Sequence, residues 1–173
     1  MAYVSLEITT GSPLPELESL QLGTVSAGLG TPDLCVLVNR DNQPCLRIDV
    51  YCGCLECCAF SQNVIWKNSV IIGFGHKVHF VSLNDLESRE IDLGYYFGHL
   101  YMSDDYLLAA SGERLFRLSE TGTIDWVTQQ LGIDGVVVDA VESGIIYGQG
   151  EWDPPGGWEP YQVVLETGLS NLE

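Results

Sequence analysis

The densest chemistry in the chain is a run of thiols, Cys52-Gly53-Cys54-Leu55-Glu56-Cys57-Cys58. Cys54 and Cys57 have the two-residue spacing of a zinc knuckle, and structural zinc takes four such ligands. Cys52 and Cys58 would complete a set; so would His76 and His79. Residues three apart on a strand point to opposite faces, so the histidines serve together only if His76 lies in a turn. A full paired-knuckle spacing is missing. The reading favoured for these thiols is therefore small apolar side chains in a reduced core, with structural zinc one alternative, a disulfide in an exported protein another, and no other cofactor implied.

A second concentration is Gln149-Gly150-Glu151-Trp152-Asp153-Pro154-Pro155-Gly156-Gly157-Trp158-Glu159-Pro160-Tyr161. It reads as a long loop, and long loops in compact domains commonly carry binding. Aromatic faces suit sugar rings, cations and partner side chains. Glu151, Trp152, Asp153, Trp158, Glu159 and Tyr161 are accordingly the candidate binding residues. The competing reading folds Trp152 and Trp158 back over one end of the core. Tyr95-Tyr96-Phe97-Gly98-His99 is a second aromatic group, expected near the loop if the units stack, and His99 joins the candidates. No residue is assigned a catalytic role. The chain has no Gly-x-Ser-x-Gly elbow, no phosphate-cradling glycine loop before a helix and no His-Glu-x-x-His, so an enzyme is disfavoured. Were it one, Glu151, Asp153, Glu159 and His99 would be the first suspects.

Charge narrows the partners. The 173 residues carry 24 Asp and Glu against 7 Lys and Arg, a net charge of −17. Such a field repels nucleic acid and anionic membranes and favours a basic protein or a cation. The start of the chain has neither a basic nor an apolar signal region, and no stretch is long and apolar enough for a spanning helix. A cytoplasmic location and reduced thiols are the expectation.

The elements that must position these residues are mostly strands. Tyr3 to Thr10 alternates in polarity and reads as a half-buried strand. Glu16 to Leu22 reads as a short helix with Leu17 and Leu20 on one face. Cys35–Val38 and Cys45–Val50 flank the turn formers Asn39 to Pro44, a hairpin signature. From residue 63 a unit recurs. Its first turns begin at Lys67, Ser103 and Glu142, 36 and 39 residues apart, the mark of a repeated supersecondary unit. Each unit is a three-stranded meander, with a fourth strand expected at Arg89–Leu93 and at Thr123–Thr128. In the third unit the strands are Val136–Val141, Ile145–Gly148 and Tyr161–Leu165.

Leu115-Phe116-Arg117-Leu118-Ser119-Glu120-Thr121-Gly122-Thr123-Ile124-Asp125-Trp126 resembles the end of a blade in quinoprotein-type β-propellers, where an apolar strand leads through a Thr-Gly turn to a Trp-bearing outer strand. Val163–Gly168 echoes it, and Phe80–Leu86 is a looser copy. The resemblance spans residues 63 to 168 and implies blade-like meanders; it implies no cofactor. Three units are fewer than the four to eight blades typical of a closed ring; pairing of Tyr3–Thr10 with the last unit is one way to close it. A sandwich or an open barrel would protect the sheet edges equally well.

The expectation is thus a single all-β domain over 1–173, with an N-terminal strand and hairpin in 1–62, antiparallel meander repeats in 63–173 and at most one or two short helices. The expected function is non-enzymatic binding of a basic protein, in the manner of an inhibitor or immunity protein. The alternative is a sugar or organic cation held by the 149–161 segment. An exposed edge strand is also compatible with a homodimer.

Overall fold

The computed structural model describes residues 3–8, 16–24, 30–52 and 60–170. Cys54, Cys57 and Cys58 lie outside them, as does most of the thiol run. Within these residues the chain forms four sheets and no helix. The first sheet holds β1 (Tyr3–Ile8), β2 (Ser19–Gly23), β3 (Leu34–Arg40) and β4 (Gln43–Tyr51), ordered β1-β3-β4-β2 in space. The second holds β5 (Ser61–Trp66), β6 (Ser69–Phe74), β7 (Lys77–Ser82) and β8 (Ser88–Asp92) in chain order. The third runs β9 (Phe97–Met102), β10 (Leu107–Ser111), β11 (Leu115–Leu118) and β12 (Ile124–Val127). The fourth has β13 (Val136–Glu142), β14 (Ile145–Glu151) and β15 (Trp158–Val164). Pairing is antiparallel except between β2 and β4.

Tight turns make the meanders. Asp41 and Asn42 take φ of 49° and 64° between β3 and β4. This is the left-handed backbone that short polar residues tolerate and that matches strand twist. The turn is therefore shorter than the Asn39–Pro44 stretch suggested. Ser143-Gly144, with φ of 50° and 80°, joins β13 to β14 in the same way.

The sheets stand side by side in chain order, their first strands β1, β5, β9 and β13 neighbours in turn. This explains the continuous apolar runs. On β6, Val70, Ile72 and Phe74 pack toward the first sheet while Ile71 packs toward the third. On β10, Leu107 and Ala109 face the second sheet, and Leu108 and Ala110 face the fourth. A strand whose two faces are both covered needs no polar alternation. Three cores thus join four sheets in line, and among the described residues no such core joins the fourth sheet to the first.

Three expectations are corrected. Glu16–Leu22 is not a helix: Ser19–Gly23 is strand β2, because Leu20 and Leu22, two apart, both pack on the core beside Ile48 and Val50 of β4. The N-terminal strand does not close the last unit: β1 pairs with β3, Leu6 opposite Leu37, and belongs to a sheet of its own. The 149–161 segment is not a long loop: β14 runs to Glu151 and β15 starts at Trp158, leaving six residues between them. The outer strands expected near 89–93 and 123–128 are present as β8 and β12.

Candidate functional site: an aromatic strip on the inner strands

Five rings form a chain beside β9. His99 lies 5.1 Å from Phe60 and 6.3 Å from Tyr101, centroid to centroid. Phe60 lies 6.3 Å from Tyr96, which lies 5.0 Å from Tyr95. The tilted and edge-on geometries are those aromatic pairs prefer. Phe60 is exposed and the other four are half-buried. His99 and Tyr101 are two apart on β9, so the strand's own period puts them on one face. Tyr95 and Tyr96 rest on Gly112: a Cβ there would come within 2.4 Å of the Tyr95 ring and 2.6 Å of the Tyr96 ring. The Gly112 amide also donates to the Tyr96 carbonyl at 3.0 Å.

Carboxylates border the rings. The Tyr96 hydroxyl donates to the Asp134 carbonyl and lies 3.3 Å from Asp134 Oδ1. Burial, followed by the adjoining Asp134, pushes this hydroxyl up to about 12, with Glu151 contributing in the same direction. Burial raises Tyr101 too, and Asp139 adds to it. Both hydroxyls therefore stay protonated near neutrality, and the charge beside the rings is that of Asp134, Asp139 and Glu151. None of the rings' named neighbours is basic.

Of the residues singled out in sequence, the structure brings His99 and Glu151 to this strip. Glu151 accepts from Ile133 N at 2.7 Å through its carbonyl and from Gly156 N at 2.8 Å through Oε1, so it anchors both the Asp134 segment and the β14–β15 turn. Trp158 lies opposite Glu151 and packs over Gly135, where an added Cβ would meet its ring at 2.7 Å. Trp152 and Trp158 are each 39% exposed, so neither plugs the core nor stands clear of it. Asp153 is exposed in the turn and Glu159 is exposed on β15. Tyr161 belongs to the core between the third and fourth sheets. Its hydroxyl donates to Val137 O at 2.9 Å, and burial raises it far above its ordinary range. Phe60, Tyr101, Asp134 and Asp139 went unremarked in sequence. They come from four separate segments, and only the His99/Tyr101 alternation gave a local hint.

A separate cavity of about 180 Å³ opens between the first and second sheets, lined by Cys52, His76, Lys77 and His79 among others. His76 does occupy the β6–β7 turn, which brings the two imidazoles to one cavity. His79 is 3% exposed, and burial lowers it to about 4, so it is neutral at physiological pH. Among the described residues no three His, Cys, Asp or Glu side chains converge closely enough to hold a metal. No helix among them is long and apolar enough to cross a membrane.

No family model matches the chain, and no curated protein does. Solved structures that share its fold include the following two. One is a protein of unknown function from Bacteroides caccae, with a TM-score of 0.53 at 14% identity. The other is the WD40 domain of Neurospora crassa Pan2, with a TM-score of 0.50 at 16% identity. Both alignments cover 80% of this chain, but only 58% and 45% of those chains. The chain thus spans about half the length of each. The likeness is one of fold, antiparallel sheets arranged as in a β-propeller.

Proposed function

We propose that the chain is a non-enzymatic interaction module that holds a lysine- or arginine-rich segment of a partner protein against the aromatic strip. The observation that carries this reading is the set of exposed and half-buried rings, Phe60, Tyr95, Tyr96, His99 and Tyr101, bordered by Asp134, Asp139 and Glu151. Ring faces attract cations, and carboxylates at their margin add charge pairing. The net charge of −17 supports the same partner class by steering a basic surface inward, an effect that salt weakens.

The test is calorimetric titration of a lysine- and arginine-rich peptide into the protein at low salt, about 0.05 M, and again at about 0.5 M, where screening is short-ranged. Wild type is expected to bind at low salt. Phe60→Ala with Tyr95→Ala is expected to weaken binding roughly fivefold to thirtyfold while leaving the melting transition cooperative. Equal affinity in wild type and the double variant, or no binding by wild type at low salt, would overturn the reading. Titrating free arginine as a parallel arm separates recognition of a segment from recognition of a small organic cation.

A further inference from the structure

Strand β7 presents Val78 and Phe80 to the core shared with the third sheet, so its two-residue period turns His79 toward the first sheet. There His79 lines the cavity of about 180 Å³ together with His76, Val50, Tyr51 and Phe74. It is 3% exposed, and among the described residues its ring makes no hydrogen bond. His76 Nε2 is likewise buried without a partner. Buried polar atoms are nearly always paired, because an unpaired one loses its hydration and gains nothing in return. Packing alone does not account for two unpaired imidazoles on one cavity. A bound molecule that supplies the missing hydrogen bonds does.

The lining restricts what that molecule is. Burial lowers His79 to about 4, so its imidazole is neutral at physiological pH, with one N–H to donate and one nitrogen to accept. Lys77 also borders the cavity, but Glu90 holds its ammonium at 2.7 Å. A carboxylate ligand would find no spare cation there, and the net charge of −17 opposes an anion. Among the described residues no carboxylate lines the cavity, so an ammonium would find no counter-ion either. Val50, Phe74 and the ring of Tyr51 make the remaining wall largely apolar. A dry apolar hollow of about 150 Å³ is enough to take up benzene, so one ring fits. We propose that the cavity binds a small neutral molecule, an apolar ring bearing a hydroxyl, with the ring against Val50, Tyr51 and Phe74 and the hydroxyl bonded to His76 and His79. A hydroxyl suits the pair because it both donates and accepts. This site shares no residue with the aromatic strip and stands or falls independently of it.

Titration of the full chain with phenol, followed through the imidazole signals in proton–nitrogen correlation spectra, tests it. The His76 and His79 signals are expected to shift together and saturate, while that of His99, in the aromatic strip, stays in place. Benzene, which fills the same volume without the hydroxyl, is expected to bind roughly tenfold more weakly, and benzoate not to bind. His79→Phe keeps a ring in the wall and is expected to abolish the preference for phenol over benzene, with a circular dichroism melt confirming that it folds. His76→Ala, in the turn, is the second variant and is expected to reduce the same preference. No movement of the two imidazoles with phenol, equal shifts at His99, or equal affinity of wild type for phenol and benzene would overturn the inference. So would imidazole shifts with zinc chloride and none with phenol, which would mark a metal site instead.

Discussion

The junction between the second and third sheets and the junction between the third and fourth hold the same kind of unit together by different means. The former is a steric fit. Phe97 is fully buried, and its ring occupies the space where a Cβ on Gly73 would sit, 2.1 Å from Phe97 Cε2. Gln62 flanks it, donating to Leu100 O at 3.3 Å and accepting from Leu100 N at 2.8 Å. At the former junction the Trp66 indole also donates to Ser103 O, at 2.7 Å; the latter junction has a larger polar clasp near its outer strands. The Trp126 indole and the Arg117 guanidinium both donate to Leu165 O at 3.0 Å, and Arg117 also meets Glu166 at 3.1 Å. The difference teaches that the repeat specifies the strands, while single residues outside its pattern specify how one sheet grips the next.

Two substitutions can break that contrast, and a third tests the junction of the first and second sheets. The largest effect is expected from Phe97→Ala, which empties the steric fit and should cost about 3–5 kcal/mol in urea unfolding. A loss below about 1 kcal/mol would mean that the junction does not depend on the ring.

The next effect comes from His79, in the cavity between the first and second sheets. Its folded value of about 4 lies below the ordinary 6.5. Between those values the unfolded chain binds a proton that the folded chain does not. Stability conferred by the neutral imidazole is therefore intact above about 6.5 and declines as pH falls toward 4, by about 3 kcal/mol in all. His79→Gln should flatten that part of the pH profile relative to wild type; parallel profiles for the two proteins would refute the assignment. The smallest effect is expected from Trp126→Phe, which keeps a ring over Gly168 but removes the indole donor. A loss of about 0.5–1.5 kcal/mol is expected, and a loss as large as that of Phe97→Ala would contradict a clasp.

Much of the fold was legible because two-residue alternation and turn chemistry are local. The hairpin at Asp41-Asn42, the meanders from residue 63 and the outer strands β8 and β12 all follow from neighbours in sequence. The first sheet was harder to read because its spatial order departs from chain order. β2 pairs parallel to β4 across an intervening hairpin, and five residues with leucines at 20 and 22 cannot announce a distant partner. The candidate site was least legible. His99 and Glu151 stand out in the sequence by residue type alone. Phe60 and Asp134, 74 positions apart in sequence, both meet Tyr96 only through the packing of consecutive sheets. The 149–161 segment looked like a loop because Pro154, Pro155, Gly156 and Gly157 dominate its composition, although strand pairing continues to Glu151 and resumes at Trp158.

The most direct measurement is a backbone amide chemical-shift titration of the full chain with a lysine- and arginine-rich peptide at low salt. Shifts concentrated at Phe60, Tyr95–Tyr101, Asp134 and Asp139 are the expected result. Shifts centred on the 152–157 turn, or spread evenly over the acidic surface, would contradict the placement of the binding site on the aromatic strip.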